Sequence, residues 1–527
     1  MSQRTRLRLG AALALASCLA GPALAQTPQR GGTAIFALSQ DPPSVNPAAS
    51  SGFANRMVGC ILFQGLVRVT DDYRILPGMA KSWTVSPDGL TYTFDLQNAK
   101  RHDGKPFTSD DVKFSLVEVS AKFSPTFAPA GRSIESVEAP APDKVVIKLK
   151  NSFGPFLVSL ACFQGGAITP AHLYRGTDIL KNPANVSSPV GTGAFKLAEW
   201  KHGDFIRLAK NPDYWDSGKP YLDEVVGKVI TQPSTAVQAL KSGEIDVLQP
   251  VPPNDMAGIS ANPKLRVIES DQPESMTLAF LNTTRKPLDD KRVRRALFMA
   301  TDRDYLFKNA FFEVGNVGIM PMPSRLKWAA NSSIDYRKMY PFDPARANAL
   351  LDEAGVKRGV DGKRFTLHLY IYSADYPEFR QVAVALKSMY QAIGVDVDTE
   401  AMEEATLVKK VHVERDFDMT MVGYTSFGDP ALGFARAFIS STVGRPYGNP
   451  SGYSNPVVDE LFVKGERALT YEERGPFYSQ AQAIIAADLP VFTWRELRNM
   501  DAGSTRIHDL WGKIQGNGNW AEAWLEK

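Results

Sequence analysis

Phe365-Thr366-Leu367-His368-Leu369-Tyr370-Ile371-Tyr372 reads as a strand, residues 378–393 as a helix stopped by Gly394, and residues 395–401 as a second strand. Strand, helix and strand in that order form a β-α-β crossover, the unit that builds parallel sheets. Working outward, residues 234–240 read as a helix, Gly243 as its cap and residues 245–248 as the strand that follows. Residues 90–97 place Tyr92, Phe94 and Leu96 on one face against Thr91, Thr93 and Asp95, the period-two pattern of a half-buried strand. Residues 145–150 and 205–210 repeat that alternation. Residues 33–38 form an opening strand, followed by the turn formers Asp41-Pro42-Pro43 and Asn46-Pro47 and by a helix through Met57, Cys60, Ile61 and Leu62. Helix starts stand at Thr108 with Asp111, at Asp343 with Pro344 and at Thr470 with Glu473. Strands and helices alternate throughout, so the fold class is α/β with more than one lobe.

At the amino terminus Arg4, Arg6 and Arg8 precede an uncharged run from Leu9 to Leu19, and Ala23-Leu24-Ala25 supplies the small residues of a cleavage site. This is the anatomy of a secretory signal peptide, with Gln26 as the expected mature start and a periplasmic, soluble product. Leu15-Ala16-Ser17-Cys18 also has the form of a lipobox, the less favoured alternative, in which Cys18 carries the anchor. Loss of residues 1–25 removes three arginines and no acid, leaving 57 basic and 57 acidic side chains. A neutral chain argues against nucleic acid or an anionic membrane as partner. Cys60 and Cys162 remain, and they read as two buried free thiols, with pairing the alternative that an oxidising compartment allows.

Catalytic and metal signatures are missing from the sequence. The six histidines are scattered, none of them in the i, i+4 pair of a zinc helix. No phosphate-cradling loop, nucleophile elbow or dinucleotide fingerprint occurs, and Gly191-Thr192-Gly193 is a fragment only. The reading is a chain without catalytic machinery, cofactor or metal.

One long segment, Ala80-Lys81-Ser82-Trp83-Thr84-Val85-Ser86-Pro87-Asp88-Gly89-Leu90-Thr91-Tyr92-Thr93-Phe94-Asp95-Leu96, resembles the signature of the peptide, nickel and opine class of extracytoplasmic solute-binding proteins, family 5. His102-Asp103-Gly104-Lys105-Pro106-Phe107-Thr108 continues it. Pro189 to Phe195, Asn211 to Trp215, Leu240 to Asp246, Leu281 to Thr283, Asp290 to Leu297 and Gly452 to Pro456 match in the family's order. The resemblance implies a type II (cluster C) periplasmic binding protein fold. Lobe I comprises residues 26–54, 187–275 and 488–527, with an extra subdomain inserted at residues 55–186, and lobe II spans residues 276–487. It implies a monomer that captures a small solute by hinge closure and delivers it to the permease subunits of an ABC importer. A repurposed sensory receptor is the alternative. Locally, Trp83, Trp200 and Trp215 read as packing, and Lys291, Arg292, Arg294 and Arg295 as a solvated helix face.

In peptide-binding members of that family an aromatic, two small residues and an Asp that pairs with the peptide's ammonium come late in the second lobe. Here Tyr424 matches the aromatic, while Phe427 stands where the Asp would be. Asp429 is the candidate to take over the ammonium, and Arg436 offers a planar fork to a carboxylate. Ser39, Gln40 and Asn46 follow the first strand, and Phe163 and Gln164 lie near the return of the insertion; all five are expected near ligand. Peptides, opines, sugars and metal chelates stay open as solutes.

Overall fold

The structure is a computed structural model that describes residues 27–527 except 51, 270–274, 373–376, 498, 513, 515 and 517. The signal peptide, its cleavage site and the lipobox cysteine lie outside the described residues. Among the described residues no helix is long and apolar enough to cross a membrane.

Two large sheets carry the fold. In the first, the strands run Leu265–Glu269, Met500–Ser504, Val247–Leu248, Thr33–Leu38, Glu224–Val229, Phe205–Lys210 and Phe195–Lys201 from edge to edge. In the second, the order is Asn316–Val317, Val491–Leu497, Ser275–Leu281, Met419–Thr425, Phe365–Tyr372 and Val395–Met402. The crossover read from sequence is present: Phe365–Tyr372 and Val395–Met402 pair in parallel, joined by the helix Pro377–Ala392. Phe379, Val382, Leu386 and Tyr390 of that helix are fully buried, one helical stripe against the sheet. Gly394, at φ +81°, turns the chain back into the next strand.

A third, four-stranded sheet, Ala80–Val85, Thr91–Leu96, Lys144–Leu149 and Ile134–Ala141, forms the inserted subdomain. Tyr92, Phe94 and Leu96 face its core, with Val145 and Ile147 of the neighbouring strand beside them. The Thr108–Asp111 and Thr470–Glu473 capping boxes both form, and the Asp343 carboxylate accepts from the Arg346 amide. These local signals fix where helices begin before any packing is considered.

The chain passes from the first sheet to the second after Leu265–Glu269 and returns after Val491–Leu497. The return therefore falls between Leu497 and Met500, later than the residue 488 expected from sequence, because Val491–Leu497 pairs with Ser275–Leu281 in the second sheet. Each sheet keeps its own apolar core, with Phe36, Ile206, Leu208 and Val225 in the first and Leu278, Phe280, Phe298 and Trp494 in the second.

Three readings need correction or completion. Cys60 and Cys162 are not free thiols: they form a disulfide with Cα atoms 5.8 Å apart, tying the end of helix Phe53–Leu62 to the turn Cys162–Gln164. Their separation of 102 residues hides the pairing from the sequence. Nor is the Lys291–Arg295 run wholly a solvated face. Arg294 is 5% exposed and donates to the backbone oxygens of Leu288, Asp289, Asp488 and Leu489, closing the C-terminus of helix Tyr471–Asp488. The Gly191-Thr192-Gly193 fragment is a docking surface: a Cβ at Gly191 or Gly193 would land on the backbone oxygens of Leu62 or Ile61. Gly193 N–H donates to Leu62 O at 2.9 Å, so the disulfide-bearing helix lies directly on this strand entry.

Candidate functional site

Two cavities lie between the lobes. One, of about 630 Å³, is bounded by Ser39, Gln249, Pro250, Phe311, Phe312 and Met500 and is largely apolar. Its charged lining residues, Arg495 and Glu378, bond to each other at 2.9 Å. The other, of about 710 Å³, opens between the insertion and lobe II. Five arginines (Arg56, Arg132, Arg436, Arg445 and Arg467) line it against two glutamates, Glu404 and Glu466. None of the seven is in an ion pair with another described residue. Convergent polar groups on aromatic walls, with charge left to satisfy, mark a ligand site, so the second cavity is the stronger candidate.

The turn after strand Met419–Thr425 builds one wall. Phe427 (φ +51°) and Gly428 (φ +83°) are successive left-handed residues, a conformation costly for Phe and held by the surroundings. The turn aims the Phe427 ring at the insertion's core and its carbonyl at Gln164, whose Nε2 donates to it at 3.1 Å. Arg436 follows, its Cζ 4.9 Å from the Tyr424 ring and 6.0 Å from the Phe427 ring, with Nε donating to Gly433 O. Aromatic faces and one carbonyl thus hold the guanidinium in place and leave both terminal nitrogens without a described protein partner.

Tyr424 itself is buried, its hydroxyl donating to the carbonyls of Tyr447 and Gly448. Burial pushes that hydroxyl up to about 12, with Arg436 opposing, so it remains a neutral donor. It supports the wall and does not itself line the cleft. Tyr447 does, and its hydroxyl donates to Glu404 at 2.7 Å.

Arg56, on helix Phe53–Leu62, enters from the opposite side. Its Cζ lies 4.5 Å from the Phe163 ring and Nη1 donates to Phe163 O at 3.1 Å, while Nε is buried without a partner. Desolvation alone lowers this guanidinium to about 10, which leaves it charged at neutral pH and under-compensated. The Cys60–Cys162 bond holds the helix that carries Arg56 against the turn that carries Phe163 and Gln164. Burial raises the Glu466 carboxyl, and Arg132 acts against it.

The walls touch. Gly154 N–H donates to Glu466 O at 2.7 Å, Leu432 of lobe II joins the insertion's core, and Tyr73 of the insertion joins the core of lobe II.

Of the expected site residues, Phe427 and Arg436 line the cleft, while Phe163, Gln164 and Tyr424 stand behind its wall, against Arg56, Phe427 and Arg436 respectively. Asp429 does not take the ammonium role. It is 0% exposed and its two oxygens accept from Arg474 at 2.6 Å each, while it caps the turn Pro430–Gly433 through Ala431 N. A carboxylate paired by a fork in this way has its charge already met, and Asp429 is not among the residues that line the cleft. Asn46 is also spoken for, donating to Asn185 and accepting from Ala48 N. Ser39 opens onto the apolar cavity, and Gln40 is exposed and lines neither. Sequence reasoning missed Arg56, Glu404, Tyr447 and Glu466. Arg56 had one signal: a cation near a helix N-terminus opposes the helix dipole.

Two α/β lobes joined by crossing strands, a subdomain inserted in the first and a charged cleft against the second define a two-lobed binding protein. The family profile described as bacterial extracellular solute-binding proteins, family 5 middle, matches residues 74–445, and the chain belongs to that family. It is 28% identical over 489 residues to the glutathione-binding protein GsiB of Pectobacterium atrosepticum, covering 90% of each chain. It is 32% identical over 438 residues to a putative ABC transporter peptide-binding protein of Brucella ovis, covering 80% of each. The oligopeptide-binding protein AppA of Bacillus subtilis, solved with a nonapeptide, superposes with a TM-score of 0.77 at 26% identity, over 95% of this chain and 100% of that one. The fold is that of type II periplasmic binding proteins, and the role is solute binding without catalysis.

Proposed function

We propose that this protein is the extracytoplasmic receptor of an ABC importer, enclosing a small solute of the peptide or opine kind in the cleft between the insertion and lobe II. The observation that carries the reading is the cleft itself: guanidinium groups from both walls, Arg56 and Arg436, stand without counter-charges, and the walls meet through Gly154, Leu432 and Tyr73. A solute touching both walls contributes its full binding energy only when they are together, so it favours the closed arrangement. The two passages of the chain between the sheets, after Leu265–Glu269 and after Val491–Leu497, are the hinge, and the closed form is the one the permease recognises.

The experiment is native mass spectrometry of the mature protein purified without refolding, together with thermal unfolding against peptides, opines, sugars and metal chelates. A retained small mass, or a rise in melting temperature with one of these, supports the receptor reading. Protein that retains nothing and responds to none of them overturns it.

A further inference from the structure

Deepening that receptor reading, on which it rests, we infer that the cleft selects a solute with two separated carboxylates, one for Arg56 and one for Arg436, and needs no free ammonium on it. The argument is one of charge. Among the described residues neither guanidinium has a carboxylate within ion-pair distance, yet both are half-buried and fixed by aromatic rings and a single backbone oxygen each. Uncompensated cations held out of bulk water are costly in the empty protein. A bidentate carboxylate is the partner whose geometry matches a guanidinium fork.

The acids of the cleft do not remove this excess. Glu404 accepts from the Tyr447 hydroxyl, and Glu466 lies near Arg132 and Arg467. Asp429, which would receive an ammonium, is bound on both oxygens by Arg474. Phe427, in the position where an acid would be expected, puts a hydrocarbon ring on the cleft wall. The two arginines flank one continuous seam, Arg56 on Phe163, Gln164 on the Phe427 carbonyl and Arg436 near the Phe427 ring, so their carboxylates belong to one molecule.

The test uses four tripeptide probes on one backbone and the mature protein. N-acetyl-Ala-Glu-Ala carries two carboxylates and no amine, and N-acetyl-Ala-Gln-Ala carries one. N-acetyl-Ala-Gln-Ala-amide carries none, and Ala-Gln-Ala-amide carries only an ammonium. Calorimetric titration is expected to rank them in that order, each lost carboxylate weakening binding by about tenfold or more. Arg56→Gln and Arg436→Gln should each bind the diacid no better than the wild type binds the monoacid, with Arg436→Lys keeping part of the preference. Melting temperatures no lower than the wild type's show that the loss is local. Tighter binding of the ammonium probe, or a diacid preference that survives both Gln variants, overturns the inference. Native mass spectrometry separates it from the receptor reading. A retained solute with two acidic groups supports the inference, a retained solute with fewer overturns it and leaves the receptor standing, and protein that is empty, binds none of the four probes and responds to none of the peptides, opines, sugars and chelates overturns both.

Discussion

Replacing Arg474 by Met tests the claim that Asp429 is a structural anchor and not a ligand group. Arg474 and Asp429 are 1% and 0% exposed, joined by two hydrogen bonds of 2.6 Å. Arg474 also donates to Gly465 O at 2.7 Å and to the Tyr478 hydroxyl at 3.0 Å, under the Trp328 ring at 5.0 Å. Burial opposes its charge and Asp429 outweighs burial, so the guanidinium is held more firmly protonated than in water. Removing one partner of such a buried pair costs about 3–5 kcal/mol, because the other charge is stranded. Asp429→Asn and Arg474→Met should therefore each destabilise lobe II by that order, read in scanning calorimetry. The double variant should recover about 2 kcal/mol or more of the summed loss, since no charge is left unpaired. A solute that binds the wild type should still bind Arg474→Met below its melting transition. The reasoning is refuted if Asp429→Asn leaves stability within about 1 kcal/mol while abolishing binding, the signature of a group that faces the solute.

His102 makes stability depend on pH. Burial pushes its ring down to about 4, and Nδ1 accepts from Gly191 N–H, a bond that protonation there destroys. The unfolded ring protonates near its ordinary 6.5, so the unfolded state binds more protons between those values. Stability should fall as pH drops from about 6.5 to 4, by at most about 3 kcal/mol, and His102→Asn should flatten that part of the profile of melting temperature against pH. Reducing the Cys60–Cys162 bond frees a loop of about 100 residues, for which chain entropy predicts a loss of about 5 kcal/mol. The melting temperature should fall with dithiothreitol, and the Cys60→Ser/Cys162→Ser variant should match the reduced protein and ignore the reagent. Gly191→Ala sets a methyl against the Leu62 carbonyl and should cost about 2–4 kcal/mol in the first lobe, measured by the same calorimetry.

Features decided by local spacing and capping, element by element, were legible in the chain. The crossover at residues 365–402, the alternation at residues 91–96 and the boxes at Thr108 and Thr470 follow from local spacing and capping chemistry, and all are present. Long-range pairings were not. Nothing near Asp429 announces that Arg474, 45 residues on, takes both of its oxygens. The burial of Arg294 depends on the backbone oxygens of Asp488 and Leu489, which only the packing of helix Tyr471–Asp488 brings to it. Arg56 became a site residue only when the disulfide set its helix beside Phe163. The family motifs, dominated by turn and core residues, located the fold without locating the cleft.

Within the inserted subdomain, residues 60 and 162 meet at the disulfide, with Cα atoms 5.8 Å apart. Arg56 precedes that junction, and Phe163 and Gln164 follow it. The stretch from residue 61 to residue 161 is thus a cassette whose exit lies beside its entrance, and it contributes Thr126, Arg132 and Ser152 to the rim. Chains that exchanged this cassette would inherit a new rim over an unchanged pair of guanidinium arms, so size selection and charge selection can vary independently in this scaffold.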